Sequence, residues 1–201
     1  MVAVVSVRQQ QKDETRAKIF AAATQLFAQN GYHATTIADI ARAAGVAKGT
    51  FFVHFPSKDA VIGALVRIQT GAARKARHAA LEKHGPIVAL RAAVMTLGER
   101  AGASRTLSRG VLAATLESQD VGGEASALFD EVFALMKDDA RLARKQKLLA
   151  RGTNPEVLAS SLMASYLGAV LYFTSSPSAP ALVDILEPLV SANLASVLRR
   201  K

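Results

Sequence analysis

The sequence contains no cysteine, which excludes disulfide bonds, thiol catalysis and cysteine-ligated zinc. Tryptophan is also absent, and aromatic residues make up only 5% of the 201 residues. Charged residues amount to 20%, but half of the chain is hydrophobic, which is typical of a folded protein rather than a disordered one. We therefore expect one large domain or two small ones with a buried core, in a reducing cytoplasm.

Acidic residues are scarce relative to basic ones: 16 Asp and Glu stand against 25 Lys and Arg, giving a formal net charge of +9. This excess favours an anionic partner such as nucleic acid or an acidic membrane surface. The N-terminus lacks the basic segment and the long apolar run of a signal peptide. Residues 157–183 carry no charge, but Pro177 and Pro180 divide them, so we expect two packed helices and no membrane span.

Apolar residues recur at three- and four-residue spacing, and no stretch alternates with period two, so the sequence predicts an all-α fold. Caps and breakers predict about nine helices after a mobile arm of about ten residues. We expect Gly122-Gly123 to interrupt the helical structure and so to separate the sixth helix from the seventh. The predicted helices lie at about 13–29, 36–44, 47–53, 57–81, 87–100, 104–118, 124–150, 154–173 and 180–199. We expect a compact basic domain at 1–58 and a larger helical domain at 59–201.

A helix-turn-helix is predicted between residues 36 and 55. Thr36 and Asp39 have the spacing of a capping box, Gly45 supplies a tight turn, and a second short helix follows. The apolar residues fit a three-helix core, and the polar ones that remain can face DNA. The expected core residues are Ile37, Ile40, Ala41, Val46, Phe51 or Phe52, and Phe55; the outward residues are Lys48, Thr50 and His54.

The segment TRAKIFAAATQLFAQNGYHATTIADIARAAGVAKGTFFVHFPSKDAVIGAL resembles the N-terminal domain of the tetracycline-repressor (TetR) family of bacterial transcription regulators. The family pattern appears in order, with Phe before Gly-Tyr, then Thr-Thr, Ile-Ala, Ala-Gly-Val, Gly-Thr, His-Phe and Ser-Lys. The resemblance implies a homodimeric, ligand-responsive repressor that a small-molecule effector releases from a palindromic DNA operator. It implies no cofactor.

The resemblance also assigns candidate DNA-binding residues. Thr36, His54 and Lys58 occupy positions that hold phosphate, and Lys48 and Thr50 occupy positions that meet base edges and backbone. Gly49 would allow close approach to DNA. The complete set is Thr36, Arg42, Ala47, Lys48, Gly49, Thr50, Phe52, His54 and Lys58.

Two of these positions depart from the family pattern. Ala47 stands where serine or threonine more often caps the recognition helix, and an absent cap costs about 1 kcal/mol. Phe52 stands where tyrosine is usual. Both changes remove a hydroxyl group that could reach a phosphate, so we expect weaker anchoring on the DNA backbone.

The C-terminal domain is expected to form the dimer, because one recognition helix reads only a few base pairs. Small residues in the eighth helix permit close approach, and the resemblance implies that the last two helices pair with their copies. The expected interface residues are Leu158, Ser161, Leu162, Ser165, Ala169, Ile185, Leu189 and Asn193. The expected effector pocket lies among Met95, Leu112, Thr115, Leu116, Glu117, Phe129, Phe133 and Tyr166.

Two other functions remain open at this point. The first is a helical adaptor or carrier with the same fold that has lost operator binding, a reading supported only by Ala47 and Phe52. The second is a helical enzyme, which we do not expect because the sequence holds no catalytic triad, P-loop, paired carboxylate motif or metal cluster. A metal site is not expected either, since His54 has no partner at ligand spacing.

Overall fold

The computed structural model describes the backbone of residues 7–117 and 119–199, and the side chains of residues 7–116 and 127–199. This part of the chain folds into nine helices, which confirms the all-α prediction. The only strand-like pairing within it is an isolated bridge between Leu149 and Leu198. The helices are α1 (Val7–Asn30), α2 (Ile37–Ala43), α3 (Lys48–His54), α4 (Lys58–His84), α5 (Pro86–Gly102), α6 (Arg105–Glu117), α7 (Gln119–Lys145), α8 (Pro155–Ser175) and α9 (Leu182–Val197).

Two of the predicted boundaries are wrong. Helix α1 begins at Val7 rather than near residue 13, so residues 7–12, which include the basic Arg8 and Lys12, are helical and do not belong to a mobile arm. Gly122 and Gly123 lie inside α7 rather than between helices. Glycine costs about 1 kcal/mol in a helix interior, a penalty that a long amphipathic helix outweighs by packing its apolar face.

The N-terminal helices surround a core of their own. Ile19, Phe27, Ile40, Phe51 and Phe55 are almost fully buried there. The same cluster includes Val61, Ile62 and Val66 of α4 and Ala114 of α6. The core of the N-terminal unit therefore continues beyond residue 58 into later helices, while the proposed domain boundary at residue 58 stays a prediction.

The second core joins α5, α7, α8 and α9, with α4 packed along α5. Helix α4 leaves the N-terminal unit and runs for 27 residues, which spans about 40 Å at the helical rise. Its far end therefore lies well away from α3. The chain returns along α5, and α6 packs against α1.

Arginine side chains connect the helices of this body. Arg105 donates to the carbonyl oxygens of Ser176 and Ala179, and Arg109 donates to that of Thr174 at 2.9 Å. These bonds fasten α6 to the carbonyl end of α8, where backbone acceptors lack partners within the helix.

A buried ion pair joins α4 to α7. Arg77 bonds to both carboxylate oxygens of Asp139, at 2.8 and 2.5 Å, and the Asp139 side chain is only 1% exposed. Burial raises the pKa of Asp139 above its ordinary value, against the opposing effect of Arg77. The pair therefore fixes how two long helices meet.

Candidate nucleic-acid interface

The helix-turn-helix begins with the capping box that the sequence predicts. The Thr36 hydroxyl donates to Asp39 Oδ2 at 2.6 Å, and the Asp39 amide donates to Thr36 Oγ1 at 3.2 Å. The Thr36 amide in turn donates to Asp39 Oδ2. These bonds lower the pKa of Asp39, with the Thr36 side chain as the largest cause. Thr36 is exposed, but its hydroxyl is already engaged in holding α2.

The turn between α2 and α3 depends on Gly45, whose φ of +68° lies in the left-handed region that glycine adopts without strain. The Val46 amide donates to the Ala41 carbonyl oxygen at 3.0 Å and closes the turn. Ala47 occupies the N-cap of α3 and provides no side-chain cap bond. The structure therefore confirms the prediction that α3 lacks a side-chain cap.

The three phenylalanines of this segment have different environments. Phe51 and Phe55 are buried, whereas Phe52 is 47% exposed. Their rings pack as one cluster, with the Phe52 ring edge-on to Phe51. The two buried rings fix the orientation of α3, and Phe52 remains at the surface beside it.

The outer face of α3 presents Lys48, Gly49 and Phe52 to solvent, with Thr50 half-buried. Arg42 adds a second exposed cation and lies 3.3 Å from Asp39. A pair this exposed contributes little stability, so its guanidinium group can exchange the carboxylate for a phosphate. The structure thus places Lys48, Gly49 and Arg42 on the exposed surface of the two short helices.

His54 differs from its neighbours because its imidazole is half-buried. Its Nδ1 is buried and has no hydrogen-bond partner among the described residues. Burial lowers the pKa of His54, and the charges of Arg16 and Lys12 lower it further. The lowered pKa favours the uncharged imidazole, which offers a phosphate a neutral N–H donor rather than a positive charge.

Lys58 is less available to DNA than the sequence suggests. Its Nζ donates to the carbonyl oxygens of Tyr32 at 2.8 Å and Thr35 at 3.2 Å, and lies 4.1 Å from the centre of the Tyr32 ring. Burial lowers the pKa of Lys58 below its ordinary value. Two of its three N–H donors are occupied, and Lys58 fastens the α1–α2 loop to the start of α4.

The structure also contains a close contact between α6 and the N-terminal unit that is not predicted from the sequence. A Cβ placed on Gly110 would lie 3.0 Å from the Cβ of Tyr32. Any larger residue at this position would require Tyr32 to shift by a few tenths of an ångström, so glycine suits the close approach of α6 to the α1–α2 loop. Glycine in the middle of a predicted helix was the one available signal.

The predicted effector residues occupy several environments. Tyr166 is buried and lies 6.1 Å from the ring of Phe129, and burial raises its pKa. Phe129, Phe133 and Met95 pack against the C-terminal core. Leu112 and Thr115 are half-buried. Leu116 is 78% exposed, and the side chain of Glu117 lies outside the described residues.

The predicted dimer residues mostly face the interior of the chain itself. Leu158, Leu162 and Ala169 are buried in the C-terminal core. Ser161 donates to Asn193 Oδ1, and Asn193 Nδ2 donates to Ser165 Oγ at 3.1 Å, so these residues tie α8 to α9. Ile185 is half-buried and Leu189 is exposed.

An apolar face remains uncovered on α8. It consists of exposed residues that the sequence did not single out, namely Val157, Leu167, Leu171 and Tyr172, with the small residues Ala164 and Gly168 between them. We call this set the α8 face. By length and hydropathy α8 could also cross a membrane, and 44% of its apolar window is buried within the protein.

The N-terminal region matches known sequences. Residues 19–65 match the bacterial regulatory proteins of the tetR family. The chain is 42% identical over 50 residues to the uncharacterized HTH-type transcriptional regulator YerO of Bacillus subtilis, a segment that is 25% of this chain and 17% of that protein. It is 39% identical over 56 residues to the HTH-type transcriptional repressor KstR2 of Rhodococcus jostii, covering 28% of each. The matched segments thus span less than a third of these relatives.

Solved structures match nearly the whole chain. The fatty acid degradation regulator FadR of Bacillus halodurans superposes with a TM-score of 0.76 at 19% identity, covering 92% of this chain and 97% of that one. FadR of Thermus thermophilus, a TetR-family repressor in complex with lauroyl-CoA, gives a TM-score of 0.65 at 26% identity, with coverages of 92% and 96%. At 19% identity, the similarity to FadR of Bacillus halodurans shows the fold alone.

Proposed function

We propose that this chain, which belongs to the tetR family of bacterial regulatory proteins by its N-terminal domain and its fold, represses transcription from a palindromic operator in the cytoplasm. The observation that carries the proposal is the surface of α3. Lys48 and Gly49 are exposed there, on a short helix that buried Phe51 and Phe55 hold in a fixed orientation. A helix of this kind can enter a major groove.

The proposed contacts divide into two classes. Lys48 and Thr50 would meet base edges and backbone, and Arg42 would hold a phosphate, while Thr36, whose hydroxyl and amide both donate to Asp39, would contribute mainly through the position of α2. Phosphate contacts supply affinity without sequence information, whereas base contacts supply specificity. His54, Ala47, Phe52 and Lys58 remain in the proposed interface, with Lys58 acting mainly through the position of α4.

We propose a homodimer assembled through α8 and α9, since a palindrome requires two recognition helices. The α8 face is apolar and uncovered, and Leu189 of α9 is exposed as well. A contiguous exposed apolar patch commonly marks a site of protein–protein contact, whereas single exposed apolar residues do not. The α8 face, rather than the buried residues Leu158, Leu162 and Ala169, would make direct contact with the second copy.

A small molecule would release the DNA by shifting the population of dimers toward a spacing that does not fit the operator. The proposed pocket surrounds Tyr166, Phe129, Phe133 and Met95, which are aromatic or apolar and suit an apolar effector. Two solved neighbours bind lauroyl-CoA and stearoyl-CoA. Long-chain acyl-CoA is therefore the first class of compound to test.

The test is DNA binding by the purified protein. Genomic fragments that the protein retains are sequenced, and gel shifts then compare the wild type with Lys48→Ala and with Lys75→Ala, an exposed lysine of α4. Lys48→Ala should weaken binding, while Lys75→Ala should not. The logarithm of affinity should fall linearly with the logarithm of salt concentration, because phosphate contacts release counterions.

Absence of any shifted band at low salt would contradict the proposal and favour an adaptor that has lost operator binding. Equal weakening by Lys48→Ala and Lys75→Ala would contradict the role of α3. If the retained fragments contained no inverted repeats, only the palindromic form of the operator would be contradicted, and DNA binding itself would not. Addition of lauroyl-CoA to the shifted complex tests the effector class separately.

A further inference from the structure

A basic cleft lies at the end of the helical body that is remote from α3. It has a volume of about 830 Å³ and is lined where α7 ends, where the α7–α8 loop turns, and where α9 ends. Four cationic side chains line it: Arg144, Lys147, Arg151 and Arg199. Arg74 and Arg77 of α4 pair with Glu131 and Asp139 of α7, so α7 runs toward the far end of α4 before it reaches the cleft.

The cations of the cleft are not matched by carboxylates. Among the described residues, none of the four makes an ion pair. The carbonyl ends of α7 and α9 contribute about half a negative charge each, which offsets only about one of the four positive charges. A net positive potential therefore remains within a concave site, where it attracts anions.

The floor of the cleft is fastened by the backbone. The Ala150 amide donates to the Val197 carbonyl oxygen at 2.9 Å, and the Arg199 amide donates to the Leu148 carbonyl oxygen at 2.9 Å. These bonds hold the two segments together and bring Leu149, which is buried, beneath the cations. The cleft thus combines an apolar floor with a cationic rim.

Lys147 occupies a backbone conformation that glycine adopts far more easily. Its φ is +59°, and it is the one described non-glycine residue with a positive φ. Lys147 lies two residues after the last residue of α7, and the Leu148 amide donates to the Ala143 carbonyl oxygen at 3.0 Å. Glycine is usual at this position after a helix. A charged side chain is kept where glycine would fit without strain, and strain of this kind is concentrated at functional sites.

We propose that this cleft binds a small soluble anion that carries two or more phosphate groups. The cations converge on a single concavity of nucleotide size, which suits a compact ligand better than a DNA duplex or a flat membrane surface. Arginine side chains recognise phosphate through paired N–H donors. The apolar floor accepts a nucleoside base, so the site suits both a nucleotide and an inorganic polyphosphate.

The experiment is isothermal titration calorimetry of the full chain with ATP and, separately, with inorganic tripolyphosphate in about 150 mM NaCl, where exposed charges are screened beyond about 8 Å. The variant Lys147→Gly with Arg199→Gln removes two charges from the cleft, and the glycine suits the backbone. Arg42→Gln with Lys48→Gln removes two charges from the surface of α2 and α3. We expect the first pair to weaken binding by about tenfold or more and the second by less than about twofold.

A variant pair that keeps the backbone of Lys147 intact, Arg144→Gln with Arg151→Gln, should weaken binding similarly. Tighter binding of ATP than of tripolyphosphate would identify a nucleotide as the ligand class, and equal binding would identify the phosphates alone. The proposal is overturned if neither compound binds at about 1 mM, or if the Arg42 and Lys48 pair weakens binding as much as the cleft pair. Binding of phosphatidylglycerol vesicles without binding of either soluble compound would also overturn it.

Discussion

The Nζ atom of Lys58 lies 2.8 Å from the carbonyl oxygen of Tyr32 and 4.1 Å from the centre of the same residue's ring. Replacing it by Lys58→Met would leave the carbonyl oxygens of Tyr32 and Thr35 without this donor. We expect a loss of about 1–3 kcal/mol in the free energy of unfolding, the cost of an unsatisfied buried polar group. Urea denaturation of Lys58→Met and of the wild type measures this difference in the free energy of unfolding.

Lys48→Met is the matched control for that prediction. Lys48 is exposed, so its replacement should change the unfolding free energy by less than about 0.5 kcal/mol. Its effect should instead appear in DNA binding. If both variants lost stability equally, the structural role of Lys58 would be refuted.

Gly49→Ala should separate stability from DNA binding. Gly49 lies in α3, and a Cβ added there meets no atom within 4 Å, so alanine should stabilise the helix by up to about 1 kcal/mol. The same methyl group would stand between α3 and the floor of the DNA groove, so affinity for DNA should fall.

Gly71→Ala provides the comparison, because Gly71 lies in α4 with equally open space around its Cβ position. It should raise stability by a similar amount and leave DNA binding unchanged. Thermal unfolding and fluorescence anisotropy on a retained genomic fragment measure the two effects. Unchanged DNA affinity in Gly49→Ala would remove Gly49 from the interface.

Ala47→Ser should restore the missing cap of α3. Ala47 has the extended backbone of an N-cap residue, with φ −68° and ψ 150°, so a serine hydroxyl is well placed to accept from the first turn. We expect a gain of about 0.5–2 kcal/mol in unfolding free energy. Chemical denaturation tests this, and a gain no larger than that of Ala47→Gly would show that no cap forms.

The lowered pKa of His54 predicts a dependence of stability on pH. A histidine whose pKa falls on folding binds fewer protons in the folded state. Its stabilising contribution is complete above the unfolded value of 6.5 and is lost as pH falls below it. Between about pH 7.5 and pH 5.5 the wild type should therefore lose more unfolding free energy than His54→Gln. Parallel pH profiles of the two proteins would refute the assignment.

Leu171→Glu should dissociate the proposed homodimer. Leu171 is 57% exposed on the α8 face, so a carboxylate there costs the isolated chain little but opposes an apolar contact. Multi-angle light scattering should give the mass of one chain for Leu171→Glu. Ile68→Glu, at an exposed apolar residue of α4, should retain the dimer mass. A wild-type monomer at micromolar concentration would refute the dimer itself.

Local signals made the N-terminal unit predictable. The capping box of Thr36 and Asp39, the turn at Gly45 and the uncapped Ala47 are all set by residues within a few positions of one another. The role of Lys58 was missed because its partner Tyr32 lies 26 residues earlier. Spacing along the chain carries no information about a hydrogen bond of that range.

The C-terminal residues were harder to place because α8 is apolar around most of its circumference. A helix of this composition gives no signal for which apolar side turns inward. Leu158 and Leu162 were expected at an interface and are buried, whereas Leu167 and Leu171 are exposed. The packing of α8 against α5, α6, α7 and α9 distinguishes the two sides.

The close approach of Gly110 to Tyr32 limits how this chain can be recombined with its relatives. Ala114 of α6 completes the N-terminal core, so the DNA-binding unit is not a detachable part. In a chimera that joins this N-terminal unit to another regulator's body, a residue larger than glycine opposite Tyr32 requires Tyr32 to shift by a few tenths of an ångström. Exchange of DNA-binding units between relatives therefore depends on the fit between positions 32 and 110 as well as on α3.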